Sequence, residues 1–120
     1  MSKLILLVDD SKTMLMSLKM TLELNGYQVE TATNGKEAID KLKKGLKPDL
    51  IITDLNMPVM NGLEFVKEAR PTLKFVPILI LTTESEISKR EEAKKLGATG
   101  WLVKPLSGQD LIKVIKKVLP

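Results

Sequence analysis

The amino-acid sequence predicts one α/β domain, a doubly wound parallel sheet of five strands with five helices in a (βα)5 arrangement. Short apolar runs begin near positions 4, 27, 49, 77 and 100, and a segment with helical spacing or helix-capping residues follows each run. The length of 120 residues suits a single domain with a real hydrophobic core. Such regular alternation favours parallel strands, right-handed crossovers and helices on both faces of the sheet.

Most of the predicted strands are uninterrupted apolar runs, which is typical of strands covered on both faces. The run at 50–53 is the clearest example, and Pro48 and Pro77 mark the turns before the third and fourth strands. The second run alternates in the manner of a half-buried strand. We expect strands over 4–8, 27–33, 50–53, 78–82 and 100–103.

Capping residues define where the predicted helices begin. Ser11 or Asp10 can cap the first helix and Ser107 the last, while Asn34 and Glu37 have the spacing of a capping box. Glycines supply left-handed stops after three of the helices. The helices are expected from Ser11 or Asp10 to about Asn25, from Asn34 to Gly45, from Leu63 to about Arg70, from the polar loop 83–85 to near Leu96, and from Ser107 through Leu119.

The composition excludes several classes of chemistry. The chain has no cysteine and no histidine, so disulfides, thiolate catalysis and the commonest general base are all excluded. Any nucleophile must be Asp, Glu, Ser, Thr or Lys. The apolar runs of about five residues are far shorter than the ~18 that a membrane span needs, and the N-terminus lacks the regions of a signal peptide. We therefore expect a cytoplasmic protein without membrane insertion.

The net charge of +4 comes from lysines scattered over helix faces, which we interpret as solvated surfaces. Aromatic residues make up only 3% of the chain and no basic stripe carries them, so the sequence does not favour nucleic-acid binding. A mild preference for acidic protein partners is compatible with this charge.

Charged and polar residues follow the apolar runs where ligands bind in such sheets, beyond the strands' carboxyl ends. Asp9 and Asp10 follow the first strand, Asp54 the third, Thr82 ends the fourth, and Lys104 follows the fifth. If the first and third strands are neighbours, each pair of carboxylates at ~4 Å repels by about 4 kcal/mol at an effective dielectric of roughly 20. Either one acid stays protonated or a cation lies among them. An all-oxygen ligand set favours Mg²⁺, with Mn²⁺ as a substitute.

These residues permit phosphoryl chemistry. A carboxylate can attack phosphorus to form an acyl phosphate, and the metal ion would neutralise the charge that develops. Lys104 could then contact a phosphoryl oxygen as a point charge, and the Thr82 hydroxyl could donate a hydrogen bond to it.

The chain resembles the receiver domains of response regulators, and is similar to the single-domain, CheY-like chemotaxis regulators among them. The resemblance spans essentially the whole chain and rests on five separated signatures: VDD at 8–10, DLNMPVMNG at 54–62, LTT at 81–83, Trp101, and KP at 104–105. It implies a flavodoxin-like fold with strand order 2-1-3-4-5. It also implies one receiver domain over 1–120 without an effector domain, because the chain ends at Pro120 after the fifth helix.

The resemblance assigns the phosphoryl site. Asp54 is expected to be the phosphoacceptor, and Asp9, Asp10, Asp54 and the backbone carbonyl of Asn56 are expected to hold Mg²⁺. Lys104 is expected to contact the phosphoryl group. The only reactions implied are the domain's own phosphorylation and dephosphorylation, so the chain is not expected to be an enzyme acting on other substrates.

The resemblance also implies a switch. Thr82 is expected to move toward the phosphoryl group, and the ring of Trp101 to turn inward when it does, a shift between two pre-existing states. Trp101 stands where the family usually has Tyr or Phe. The Lys104–Pro105 bond is expected to be cis. The residues expected to tune the phosphate lifetime are Asn56, Thr83 and Glu84.

The implied partners are a sensor histidine kinase of the CheA type, which donates from a phosphohistidine, and a downstream protein. A flagellar motor switch protein is the first candidate target, and a role as a phosphorelay intermediate is the alternative. A phosphatase is a further candidate partner. Docking is expected on the fourth helix, fifth strand and fifth helix around Trp101, with the domain itself a monomer.

Three other classes compete with this interpretation. An aspartate-nucleophile phosphatase of the haloacid dehalogenase type needs a second Asp two positions after the nucleophile, where this chain has Asn56. A flavodoxin-like flavin carrier needs a Ser/Thr/Gly-rich phosphate loop after the first strand, where Asp9 and Asp10 would repel phosphate. A binding module with the same fold but without phosphorylation is the third.

Overall fold

The computed structural model describes residues 2–120, in which five strands and five helices alternate. The strands are β1 (Leu4–Val8), β2 (Gln28–Ala32), β3 (Leu50–Thr53), β4 (Ile78–Thr82) and β5 (Gly100–Val103). The helices are α1 (Lys12–Leu24), α2 (Gly35–Lys43), α3 (Gly62–Ala69), α4 (Ile87–Leu96) and α5 (Gly108–Val118). The predicted (βα)5 alternation is confirmed.

All five strands are parallel and lie in the order β2-β1-β3-β4-β5, which confirms the predicted topology. Strand β1 pairs with β3 as well as with β2, and Val8 lies opposite Thr53. The sheet therefore grows in one direction from β1 to β2 and in the other from β3 to β5. The reversal falls between β1 and β3, where a doubly wound sheet forms its ligand crevice.

Each face of the sheet packs against its own group of helices. Leu6 and Val8 of β1 enter one buried cluster, and Ile5 and Leu7 enter the other, because successive side chains of a strand point to opposite faces. Residues of α2, α3 and α4 complete the first cluster, and residues of α1 and α5 complete the second. Each fully buried side chain of this kind stabilises the fold by about 1.5–3 kcal/mol, so the central strands are firmly held.

Side-chain caps begin most of the helices. The caps predicted at Ser11, Asn34 and Ser107 are present, and each accepts a hydrogen bond from the backbone N–H three residues later. Helix α3 begins one residue earlier than expected, because Asn61 and Glu64 form a reciprocal capping box in front of it. No helix within residues 2–120 combines the length and apolar character needed to cross a membrane.

The junction between β2 and α2 differs from the expected capping box. The Oε1 atom of Glu37 accepts hydrogen bonds from the backbone N–H and the hydroxyl of Thr33, at 2.6 and 2.8 Å, rather than from Asn34. Strand β2 correspondingly covers Gln28–Ala32 rather than 27–33. Thr33 N–H is left without a strand partner where β2 ends, and the carboxylate of Glu37 satisfies it.

Candidate functional site

The ends of β1 and β3 bring three carboxylates into one crevice. The backbone N–H of Asp54 donates to the carbonyl of Val8 at 2.8 Å, so the residue after β3 lies beside the end of β1. One carboxylate oxygen from each of Asp9, Asp10 and Asp54 can be chosen so that all three lie within 4.8 Å of one another. Adjacent parallel strands thus produce the acidic cluster.

Backbone donors hold two of these carboxylates in place. Asp9 is only 4% exposed, and its Oδ1 accepts a hydrogen bond from Ser11 N–H at 2.9 Å. The Oδ1 of Asp54 accepts from Leu55 N–H at 2.7 Å. Asp10 is exposed. The second oxygens of Asp9 and Asp54 accept no backbone hydrogen bond from residues 2–120, so they can face a cation.

Lys104 reaches this cluster from the far side of β4. Its Nζ donates to Oδ2 of Asp9 at 3.1 Å and lies 3.6 Å from Oδ2 of Asp54, and its side chain is 16% exposed. The Lys104–Pro105 bond is cis, and the backbone N–H of Lys104 donates to the carbonyl of Thr82 at 2.8 Å. One ammonium faces three carboxylates, so an excess of negative charge remains.

The donor set fits a hard divalent cation. Asp9, Asp10 and Asp54 supply only oxygen, which suits Mg²⁺ rather than a metal that prefers nitrogen or sulfur. Asn56 is exposed in the loop that follows, and its backbone carbonyl accepts no hydrogen bond from any residue in 2–120. The excess charge and the free carbonyl are both compatible with a bound ion.

Close packing fixes the loop that follows Asp54. Gly62 N–H donates to the carbonyl of Leu55 at 2.8 Å, which folds the start of α3 back onto the strand end. A Cβ atom on Gly62 would lie 2.3 Å from the carbonyl oxygen of Asp54, so only glycine fits there. The Asn, Pro and Gly content of this loop favours a tight turn, and this close contact is what holds the loop against the strand end.

Val59 is the strained residue of the same loop. Its φ of 69° lies in the left-handed region, and Met60 N–H donates to the carbonyl of Pro58 at 2.7 Å across it. This is a three-residue γ-turn, a strained conformation for a β-branched side chain. Such strain costs on the order of 1–3 kcal/mol and persists only where the surroundings enforce it.

Thr82, Glu84 and Trp101 are linked by hydrogen bonds. The buried hydroxyl of Thr82 accepts from Glu84 N–H at 3.2 Å, and the Trp101 indole donates to the carbonyl of Glu84 at 3.1 Å. The hydrogen bond from Lys89, together with that from Glu86 N–H, lowers the pKa of the Glu84 carboxyl below its usual value. The two predicted switch residues therefore touch the same peptide segment.

The structure does not bring every predicted residue into the acidic cluster. Asp9, Asp10, Asp54 and Lys104 meet there. The hydroxyl of Thr82 is engaged with the loop after β4, and Thr83 is exposed on that loop. The backbone donors Ser11 and Leu55 and the close approach of Gly62 were not among the predicted features of the site. Of these features, only the close approach of Gly62 had a signal in the sequence, which is the Asn61–Gly62 pair at the start of α3.

A family model described as the response regulator receiver domain matches residues 5–116. Among solved structures, the chemotaxis protein CheY4 of Vibrio cholerae, crystallised at low pH, is 48% identical with a TM-score of 0.93, and the match covers 99% of this chain and 100% of CheY4. A CheY-like receiver domain protein of Methanospirillum hungatei is 29% identical with a TM-score of 0.93, covering 98% and 93% of the two chains.

The curated relatives include longer proteins. The transcriptional regulatory protein CpxR homolog of Haemophilus influenzae is 44% identical over 119 residues, which is 99% of this chain and 51% of that protein. The response regulator MprA of Mycobacterium bovis is 37% identical over 119 residues, again 99% and 51%. The chain thus spans about half the length of these relatives.

Proposed function

The chain belongs to the response regulator receiver domain family, and from that premise we propose that Asp54 is its phosphoacceptor. A partner histidine kinase supplies the phosphoryl group from a phosphohistidine, and the phosphorylated domain signals by docking to a second protein. Mg²⁺ held by Asp9, Asp10, Asp54 and the carbonyl of Asn56 would neutralise charge on the phosphoryl oxygens.

The observation that carries this proposal is the arrangement of Asp54 between two further acids and one lysine. A structural ion pair would need one carboxylate for one ammonium. Here Lys104 is shared by Asp9 at 3.1 Å and Asp54 at 3.6 Å, with Asp10 close by. Such crowding destabilises the fold, and it is typical of a site built for a reaction.

The reaction needs one bond to form and one to break. An oxygen of Asp54 attacks the phosphorus, the phosphorus–nitrogen bond to the donor imidazole breaks, and the imidazole leaves as it takes up a proton. The Oδ1 atom of Asp54 already accepts from Leu55 N–H, so we assign the attack to Oδ2. Lys104 lies 3.6 Å from that oxygen and is placed to move from the carboxylates to a phosphoryl oxygen.

The switch that we propose uses the segment shared by Thr82 and Trp101. The Thr82 hydroxyl accepts one hydrogen bond from Glu84 N–H, which leaves its own proton free for a phosphoryl oxygen. Movement of Thr82 would shift Glu84, whose carbonyl holds the Trp101 indole. Beryllofluoride is therefore expected to change the fluorescence of Trp101, the only tryptophan in the chain. An unchanged signal would contradict this switch.

Phosphorylation is tested by incubating the protein with phosphoramidate and Mg²⁺ and measuring its intact mass. One added phosphoryl group is expected for the wild type, and none for Asp54→Asn, because an amide is not a nucleophile toward phosphorus. Asp40→Asn, on the surface of α2, is the matched control and should be labelled fully. Labelling of Asp54→Asn, or absence of labelling in the wild type, would refute the proposal.

For the output, we propose a chemotaxis role with a CheA-type kinase and a flagellar motor switch protein as target. The support is 48% identity to CheY4 over the whole of both chains. A phosphorelay intermediate is the alternative. Activation by beryllofluoride should raise the affinity for the motor switch protein in the first case. In the second, the phosphoryl group should pass from Asp54 to a histidine of another protein.

We further propose that Asn56, Thr83 and Glu84 set how fast water removes the phosphate.

A further inference from the structure

A second charged region lies at the opposite edge of the sheet, where α3 and α4 end. A shallow cleft of about 420 Å³ opens between these helix ends. Its lining combines basic and apolar side chains. We call it the basic cleft, and the residues that line it are Lys67, Arg70, Pro71, Lys74, Lys95 and Leu96.

A second cleft of about 400 Å³ adjoins the basic cleft and shares Arg70 and Lys74 with it. Its distinctive member is Phe75, which is 95% exposed. A phenylalanine this exposed gains almost nothing from the hydrophobic effect in the free protein. The edge therefore presents one aromatic ring beside a group of cations.

The positive charges of the basic cleft are not neutralised within residues 2–120. Lys67, Lys74 and Lys95 form no ion pair there, as is true of most lysines in the described chain; only Lys36, Lys41, Lys89 and Lys104 form one. The guanidinium of Arg70 donates only to uncharged backbone carbonyls. No Asp or Glu among the described residues lines either cleft.

A purely structural role explains only part of this pattern. Lys67 and Lys95 lie in the last turns of α3 and α4, where positive charge stabilises the helix dipole. Lys74 lies in the loop between α3 and β4, outside any helix. The helix dipole therefore explains neither the position of Lys74 nor the exposure of the Phe75 ring.

We propose that the basic cleft binds an acidic peptide segment of a partner protein. Carboxylates of the segment pair with Lys67, Lys74 and Lys95, and an apolar side chain of the segment packs against Leu96 and Phe75. The charges of the lysines attract the acidic segment, and the apolar contacts with Leu96 and Phe75 fix where the segment binds.

A peptide fits this surface better than a nucleic acid does. Arginine is the residue best suited to phosphate, and the one arginine of the cleft uses its donors on the protein's own backbone. Binding of single strands relies on several stacked aromatic rings along a groove, and Phe75 is the only aromatic residue that lines either cleft.

Fluorescence anisotropy of the full chain tests the proposal with a labelled peptide in which glutamate and leucine alternate. The cleft variant carries Lys67→Gln, Lys74→Gln and Lys95→Gln. The control variant carries Lys3→Gln, Lys19→Gln and Lys47→Gln, three exposed lysines elsewhere, so both variants lose the same charge. We expect about tenfold or greater loss of affinity in the cleft variant and less than about twofold in the control. Urea unfolding checks that both variants fold.

The apolar part of the proposal is tested with Phe75→Ala. This variant should lose affinity for the glutamate–leucine peptide and keep its affinity for a poly-glutamate peptide of equal charge. Equal losses in the two triple variants would mean unspecific attraction and would overturn the proposal. Tighter binding of a single-stranded thymidine oligonucleotide than of the peptide would also overturn it. Asp54 takes no part in these measurements, so their outcome is independent of the proposed phosphorylation.

Discussion

Two half-buried cations, at opposite edges of the sheet, are used in different ways. Lys104 lies at the carboxyl edge and is shared between the charged groups of Asp9 and Asp54, at 3.1 and 3.6 Å. Arg70 lies at the amino edge and meets no charged partner among residues 2–120. The partners of Lys104 outnumber it, so its contacts can be exchanged. Four of the five N–H donors of Arg70 are bound to backbone carbonyls, so its contacts hold the fold together.

The contacts of Arg70 connect two loops that are far apart in sequence. One terminal nitrogen donates to the carbonyls of Leu73 and Val76 at 2.6 and 2.7 Å, and the other donates to the carbonyl of Gly97 at 2.7 Å. Burial lowers the pKa of the Arg70 guanidinium below its usual value. A cation fixed by neutral backbone acceptors thus stabilises the fold, whereas a cation shared among acids is suited to a reaction.

Arg70→Ala is the substitution at the amino edge that we expect to destabilise the fold most. It leaves three carbonyls without their donor, and we expect a loss of about 2–4 kcal/mol in the free energy of unfolding. Urea unfolding measures this. Lys67→Ala, at an exposed position in the last turn of α3, should change stability by less than about 0.5 kcal/mol. Arg70→Lys should recover only part of the loss, because lysine lacks the planar fork. A loss equal to that of Lys67→Ala would remove the structural role.

The carboxyl edge should respond to a metal, which the amino edge should not. Mg²⁺ at about 100 times its dissociation constant is expected to stabilise the wild type by about 2.7 kcal/mol and to raise its melting temperature. Asp10→Ala should show a much smaller rise, since one oxygen ligand and one charge are gone. Asp40→Ala on α2 is the control and should behave as the wild type. Equal rises in Asp10→Ala and the wild type would contradict the metal site.

Strain at the carboxyl edge should be removable. Val59→Asn is expected to stabilise the protein by about 1 kcal/mol, because asparagine tolerates the left-handed conformation far better than a β-branched residue. Urea unfolding checks this as well. Val59→Ala keeps a Cβ atom but loses the branch, so a smaller gain is expected. If Val59→Asn destabilised the protein, the γ-turn would not be a source of strain.

The carboxylate of Glu37, at the same edge of the sheet, accepts two hydrogen bonds from Thr33 and is expected to contribute only to the stability of the fold. The hydrogen bond from Thr33 N–H lowers the pKa of Glu37 below its usual value of 4.5. Its contribution is therefore present above pH 4.5 and lost as the pH falls through the lower folded value. With its side chain 41% exposed, Glu37→Gln should cost less than about 1 kcal/mol at neutral pH.

The measurement for Glu37 is urea unfolding at several pH values. The difference between the wild type and Glu37→Gln should shrink as the pH falls below 4.5. A difference that stays constant over this range would mean that the charge of Glu37 contributes nothing to stability.

Much of the fold could be read from neighbouring residues alone. The apolar runs placed all five strands to within one residue, and the caps at Ser11, Asn34 and Ser107 are where the sequence predicted them. The positions of Asp9 and Asp54 after their strands were enough to expect that these acids meet if the two strands are neighbours. The strand order came from the family resemblance rather than from periodicity.

The tertiary structure alone decided which groups satisfy one another across the fold. From the sequence, Arg70 was expected only to end a helix before Pro71, and Glu37 was expected only to form a capping box with Asn34. Their actual acceptors and donors, like the link from Trp101 to Glu84, belong to separate loops. Periodicity and capping depend on residues a few positions apart, so the sequence determines them. Contacts between loops depend on how whole helices pack against the sheet, which no local pattern encodes.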